Sequence, residues 1–409
     1  MNVRRSAVAL TATAAAVFGA AVPAVAATPA PSATPSVKIP AGLYGSADPT
    51  YDGVWRQSLS LLAQHTAGEK PAASAVGWLT GQQCANGAFA AFRADAATAC
   101  DAKVMVDTNS TAAAVQALAA LGGHDDATGK AVTWLKSAQN KDGGWGYNAG
   151  GPSDTNSTSV VIGALAATGE DPAKVVKDGA SPYDLLAAFS LPCAKDGGAL
   201  AFQPDKKGAL APNADATAAG VLGALGKGLV TTAGTAKAGA CAAASGKKPT
   251  PAEVARNGAA YLAQATAENG HLMSVMPGAT DQPDYGNTAD AVVALAAQGG
   301  AKAAQKQYAW LEKNAGAWAK TSGPAAYAQL VLAAHAVGAD PRHFGGTDVV
   351  AALNATGPAP QAASGEHAKS AEQDEKSGST TTLWWIIGVG LVAGVGIGFL
   401  LSGRRKRTQ

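Results

Sequence analysis

Charge is scarce in this chain. Of 409 residues only 15% are Asp, Glu, Lys or Arg, and 31 basic side chains are balanced by 29 acidic ones, where an ordinary globular protein is about a quarter charged. A highly charged disordered chain is thereby excluded, and so is a basic field able to hold nucleic acid. Aromatics are few as well, at 6%. The six histidines form no HxxxH or HExxH couplet and the four cysteines no CxxC couplet, so no metal site is implied. No Ser stands in a G-x-S-x-G context. From sequence, then, no catalytic residue and no cofactor is assigned, and the chain reads as a binding protein sooner than an enzyme.

What is present is most legible at the two ends. Arg4 and Arg5 precede an apolar run over residues 7–22, and Ala24-Val25-Ala26 supplies the small-x-small pattern for cleavage, so residues 1–26 read as a secretory signal peptide. A Pro-rich leader follows over residues 27–38. Residues 383–401 carry no charge, and as a helix they span about 28 Å, close to the thickness of a bilayer core. Trp384 and Trp385 sit at one interface, and Arg404, Arg405, Lys406 and Arg407 follow on the other side. The positive-inside rule places the tail, residues 402–409, in the cytoplasm. The expectation is a single-pass type I protein of the cell membrane with its folded domain extracellular. Gly390, Gly394 and Gly398 fall four apart on one face of the span, a spacing that admits a partner helix such as one of a transporter. Residues 357–382, rich in Pro, Ala, Ser and Gly, read as a disordered stalk. The folded part is expected over residues 39–356.

Cys84, Cys100, Cys193 and Cys241 all fall in the exported part, an even number in an oxidising compartment. Three pairings are open. Cys84 with Cys100 and Cys193 with Cys241 is preferred, because each pair then brackets a loop-like insertion.

Two motifs alternate along the folded part. Asp107-Thr108-Asn109-Ser110-Thr111 is repeated at Asp154-Thr155-Asn156-Ser157-Thr158. Weaker copies begin at Asn213 and Asp284, and each reads as a polar N-cap leading into a helix. The second motif is Q-x-x-x-G-x-W at Gln139, Gly143 and Trp145, with Phe for Trp at Gln83, Gly87 and Phe89. Eroded copies include Glu312, Gly316 and Trp318. There a helix is expected to end at its glycine, with the aromatic residue packing back over the turn. Counting both motifs predicts inner helices over residues 52–65, 109–121, 156–167, 215–225, 287–298 and 324–337. Outer helices are predicted over 71–82, 127–139, 181–191, 251–264, 301–314 and 346–354. The inner helices are almost wholly Ala, Val, Leu and Gly, which marks helices buried on more than one side.

With these residues in place, the chain resembles the α/α-toroid superfamily. This includes squalene and terpenoid cyclases, protein prenyltransferase β-subunits, and the transcobalamin and intrinsic-factor group. The resemblance spans about residues 51–356 and implies an all-α (α/α)6 toroid of six hairpins, with the transmembrane helix added. The D-x-D-D acid of the squalene-type cyclases has no counterpart. Asp125-Asp126-Ala127-Thr128 is the nearest string, and it opens an outer helix as a cap. The Asp-x-Cys and His zinc ligands of the prenyltransferases are missing too. In character the chain is closest to the non-catalytic transcobalamin-like branch, which implies a bulky amphipathic ligand such as a corrinoid. In that branch a small β domain follows the barrel, whereas here the stalk does.

The functional expectation is a membrane-anchored extracytoplasmic binding protein for such a small molecule, associated with an uptake transporter. The alternatives are a surface interaction or structural toroid and an atypical isoprenoid enzyme. Candidate ligand residues are Asp107, Asn109, Asp154, Asn156, Asp215, Asp284 and Asn287 around the mouth at the inner-helix N-termini, where amides and dipoles converge. Trp145, Tyr147, Tyr285 and Trp318 are expected in the adjoining loops. The plainer alternative is that the polar residues only cap helices and the rings only staple turns.

Overall fold

A computed structural model describes residues 38–101, 103–236, 238–274 and 281–362. The expected signal peptide, almost all of the leader, the stalk from residue 363, the span with Gly390, Gly394 and Gly398, and the basic tail lie outside the described residues. Among the described residues no helix is long and apolar enough to cross a membrane.

The described chain is mostly helical, and every helix read from the repeat is present with its ends within three residues of expectation. The inner set is α1 (Gly53–Thr66), α3 (Thr108–Leu121), α5 (Thr155–Ala167), α8 (Ala214–Ala224), α10 (Tyr285–Gly299) and α13 (Pro324–Val337). The outer set is α2 (Ala73–Gly81), α4 (Asp125–Ser137), α6 (Pro182–Phe189), α9 (Pro251–Ala265), α11 (Ala301–Asn314) and α14 (Val349–Asn354). Two short helices, α7 (Cys193–Asp196) and α12 (Gly316–Ser322), were not expected. The inner helices are neighbours in a closed cycle: α1 packs on α3, α3 on α5, α5 on α8, α8 on α10, α10 on α13, and α13 back on α1. Their small side chains are buried nearly all round, which permits this close packing and leaves polar faces to the outer set.

The two sequence motifs interlock. The threonine that ends each D-x-x-x-T copy accepts the backbone N–H of the residue at or beside the Trp position of the other motif. Phe89 N lies 2.9 Å from Thr111 Oγ1, Trp145 N 3.0 Å from Thr158 Oγ1, Leu200 N 2.9 Å from Thr217 Oγ1 and Leu272 N 3.0 Å from Thr288 Oγ1. The glutamine ties one hairpin to the next: Gln139 Nε2 donates to Gly143 O at 2.8 Å and Val175 O at 3.0 Å, and Gln83 Nε2 to Gly87 O at 2.9 Å and Ala127 O at 2.8 Å. Gly143 has φ +86°, and a Cβ there would stand 2.2 Å from Ser181 O, so only glycine fits. The little strand structure comes from the same junctions. β1 (Phe89–Ala90) pairs antiparallel with β2 (Val106–Asp107), and β3 (Leu272–Ser274) with β4 (Gln282–Asp284).

Both disulfides take the preferred pairing, Cys84 with Cys100 and Cys193 with Cys241, each with Cα atoms 5.6 Å apart. The boundary expected at Gly357 is corrected. Tyr44 Oη donates to Pro358 O at 2.9 Å, and Gln361 bonds Lys70 O and Pro71 O at 2.8 Å each, because the returning chain completes hydrogen bonding beside α2. Gly316 is also corrected. It lacks a positive φ, so helix resumes as α12 and Trp318 stands on a helix, not in a loop.

Candidate functional site

Inner helices α5, α8, α10 and α13 begin at the same end of the cycle, shown by contacts within their first two turns and by the closeness of Asp215 to Asp284. Asn156 Nδ2 donates to Asp215 Oδ2 at 2.7 Å across α5 and α8, and Gln329 Nε2 lies 3.2 Å from both carboxylate oxygens of Asp290 across α13 and α10. The opposite end is crossed by the segment after α8. Leu229 N donates to Gln116 Oε1 on α3 at 2.8 Å, and Gly234 N to Ala296 O on α10 at 2.8 Å. Since α3 and α10 stand opposite one another in the cycle, this segment spans the ring, with Leu229 and Val230 packed on both halves of the core. That end of the cycle is therefore covered by this segment.

Three of the mouth aspartates are committed to capping. Asp107 accepts from Ser110 N at 2.6 Å, Asp154 from Ser157 N at 2.7 Å, and Asp284 from Asn287 N at 3.0 Å and Asn287 Nδ2 at 2.8 Å. The cap of α8 is Asn213, which accepts from Ala216 N at 2.8 Å. Asp215, one residue inside that helix, is thus freed from capping. So is Asp290, in the second turn of α10. Asp290 and Gln329 were not among the residues expected from sequence. Their signal was there: a carboxylate and an amide flanked directly by Ala, Val and Leu, as Ala-Asp290-Ala-Val and Ala-Gln329-Leu-Val.

The electrostatics follow from this crowding. Burial pushes Asp107, Asp154 and Asp215 up to about 6 and Asp290 up to about 7. The charges of Asp284 and Asp154 add to the shift of Asp215, and those of Asp215 and Asp284 to that of Asp290. Among the described residues no Lys, Arg or His pairs with either Asp215 or Asp290. No three His, Cys, Asp or Glu among them come together to hold a metal ion.

The aromatic residues divide. Trp145 is fully buried, donating Nε1–H to Leu135 O at 2.6 Å, so it is a core staple beyond reach of a ligand. Tyr147 is partly exposed, its carbonyl accepting from Thr108 N at 2.8 Å, and burial together with the Asp107 charge pushes its hydroxyl up to about 12. Tyr285 is not in a loop but is the first residue of α10. It lies 5.1 Å from Trp310 and 5.6 Å from Trp318 between ring centroids, and His271 stacks on Trp310 at 4.1 Å. All four rings are half-buried. His335, expected on the wall of the barrel, is half-buried on α13, and burial lowers its pKa.

A depression of about 410 Å³ lies elsewhere, outside α4, lined by Ala85, Asn86, Asp125, Asp126, Gly129, Lys130 and Thr133. It contains no aromatic ring and none of the mouth residues.

No family model matches the chain, and no curated protein does. Among solved structures, one of a protein from Actinoplanes is similar at 16% identity with a TM-score of 0.45, over 72% of this chain and 80% of that one.

Proposed function

We propose that this chain is an exported, membrane-tethered binding protein whose helices form an (α/α)6 toroid of the kind the sequence resembles, and that a small molecule enters at the inner-helix N-termini. The observation that carries the reading is the pair of carboxylates that capping leaves unused. Asp215 and Asp290 are held in the mouth by amides from neighbouring helices and are drawn into a site where burial and mutual repulsion both oppose their charge. A fold selected for stability alone gains nothing from them, since their replacement by neutral isosteres removes repulsion. Closure of the opposite end by Leu229 and Val230 supports a one-sided pocket. The two disulfides support export.

The test is recovery of a bound molecule. Full-length protein purified from its native host in neutral detergent is expected to release one small molecule on denaturation, identified by mass spectrometry. It is expected to lose that molecule in the double variant Asp215→Ala, Asp290→Ala. Calorimetry with cyanocobalamin checks the corrinoid expectation directly. A parent protein that releases nothing and binds nothing, with the double variant indistinguishable from it, overturns the reading in favour of a structural toroid.

A further inference from the structure

We propose, resting on that reading, that the molecule taken at the mouth is an amphipathic organic cation: an ammonium or guanidinium group carried on an apolar body. Hydrogen-bond stoichiometry points first to the charged end. Asp107 Oδ2, Asn109 Oδ1 and Asn156 Oδ1 are shielded from solvent and accept no hydrogen bond, Asp107 being 3% and Asn109 6% exposed. Asn156 reaches from α5 to the Asp215 carboxylate, and Asn109 holds the same place in its own D-T-N-S-T copy on α3. Asn156 thus stands against the Asp215 carboxylate with its own oxygen unmet. A buried acceptor left unmet is costly. N–H groups on an incoming cation satisfy it, whereas phosphate or carboxylate oxygens add to the deficit.

Charge points the same way. Asp215 and Asp290 have no cationic partner among the described residues, and Asp154 and Asp284 stand close enough to act on Asp215. A cation of the ligand is the missing counter-charge, in a partly desolvated place where such a pair is strong.

The apolar body is accommodated by the row of rings. The row ends at Trp318. Its Cζ2 lies 3.7 Å from the point where a Cβ on Gly286 would stand, and the Gln329 amide that bonds Asp290 lies 3.6 Å from that same point. Gly286 therefore leaves room for no more than a methyl group between the Trp318 indole and the Gln329 amide, and this places the indole beside the amide that holds the Asp290 carboxylate. The exposed side chains of Tyr51, Met105 and Met273 stand in the segments that precede α1, α3 and α10.

The experiment uses the full-length chain in neutral detergent, titrated calorimetrically with tryptamine, benzyltrimethylammonium and spermidine, and with tryptophol as the neutral isostere of tryptamine. Tryptamine is expected to bind about tenfold or more tighter than tryptophol, and tighter than benzyltrimethylammonium, which has no N–H, and than spermidine, which has no apolar body. Asp215→Asn and Asp290→Asn should each weaken it by about 10- to 100-fold while raising the Tm, which separates lost recognition from lost folding. Gly286→Leu, whose side chain would push Trp318 and Gln329 apart, should abolish binding, and Gly286→Ala, whose methyl group makes only ordinary contacts with both, should retain it. The inference is overturned if no cation binds at millimolar concentration, or if binding is unchanged in both Asp→Asn variants. Should a neutral molecule bind and be lost only in Gly286→Leu, the mouth stands as the binding site and its cation preference falls. Should Gly286→Leu leave all binding intact, the site itself is elsewhere.

Discussion

Asp215 and Asp290 ionise only against resistance, because each sits in a packed mouth with other carboxylates and no cation beside it among the described residues. The consequence for stability has a definite sign. In the unfolded chain these groups lose their protons near pH 4, while in the folded chain Asp215 holds its proton to about 6 and Asp290 to about 7. Between those limits the folded state binds more protons, so stability falls as pH rises from about 4 to about 7 and levels off above. Glu253 works in the opposite sense. The Thr250 and Ser245 hydrogen bonds hold it down to about 2, so its contribution is complete above about 4.5 and disappears on further acidification. Thermal unfolding is therefore expected to give the highest Tm near pH 5. Asp290→Asn should raise the Tm at pH 8, by an amount corresponding to about 1–3 kcal/mol, and leave that at pH 4.5 nearly unchanged. A Tm that climbs steadily from pH 5 to 8 contradicts this account.

The unit that holds the elements together is the junction at which the two motifs meet. Thr158→Val removes the acceptor of the buried Trp145 N–H and should cost about 1–3 kcal/mol. Trp145→Ala, which empties the space against α4, should cost about 3–5 kcal/mol. Chemical denaturation of the two variants measures both, and equal ligand binding in folded Trp145→Phe confirms that the indole is a staple. Disulfides act on the elements that lack this junction's full motif. Cys193 and Cys241 are separated by 48 residues and Cys84 and Cys100 by 16. By the loop-entropy relation the first is worth about 4 kcal/mol and the second about 3. Replacing Cys193 and Cys241 by Ser should lower the denaturation midpoint more than replacing Cys84 and Cys100; the reverse order would place the stabilisation in local packing.

At the scale of the molecule, the cycle is closed by the packing of α13 on α1 and by a set of hydrogen bonds between the first hairpin and the last described segments. Gln64 Nε2 donates to Asn354 Oδ1 at 2.6 Å, and Gln361 N to Lys70 O at 2.8 Å, joining the last described segment to the first hairpin. An open stack of repeats frays from its ends, whereas a closed one has no ends to fray. Intact protein is expected to unfold in a single transition. A chain lacking residues 349–362 should unfold over a broader range at lower temperature, with hydrogen exchange accelerated first in α1 and α13. Unchanged protection in those two helices would show that the closing contacts carry no weight.

Much of this was written in local sequence. Capping residues, the glycine at position 143 and the apolar inner helices each follow from interactions within a few residues, so helix number and order were legible, and the spacing of the cysteines favoured their pairing. The sequence also marked Asp107, Asp154 and Asp284 as special, but only tertiary structure separated the roles. Capping is local and consumes those three, while Asp215 and Asp290 are defined by partners 59 and 39 residues away. Trp145 shared its motif with the candidate site and lies in the core, because which face of a turn is covered depends on the helix that packs against it. The same holds at Trp318, where Gly316 can end a helix but the surrounding packing lets it continue. Local propensity sets where elements start and stop, whereas burial, charge and access are properties of the assembled cycle.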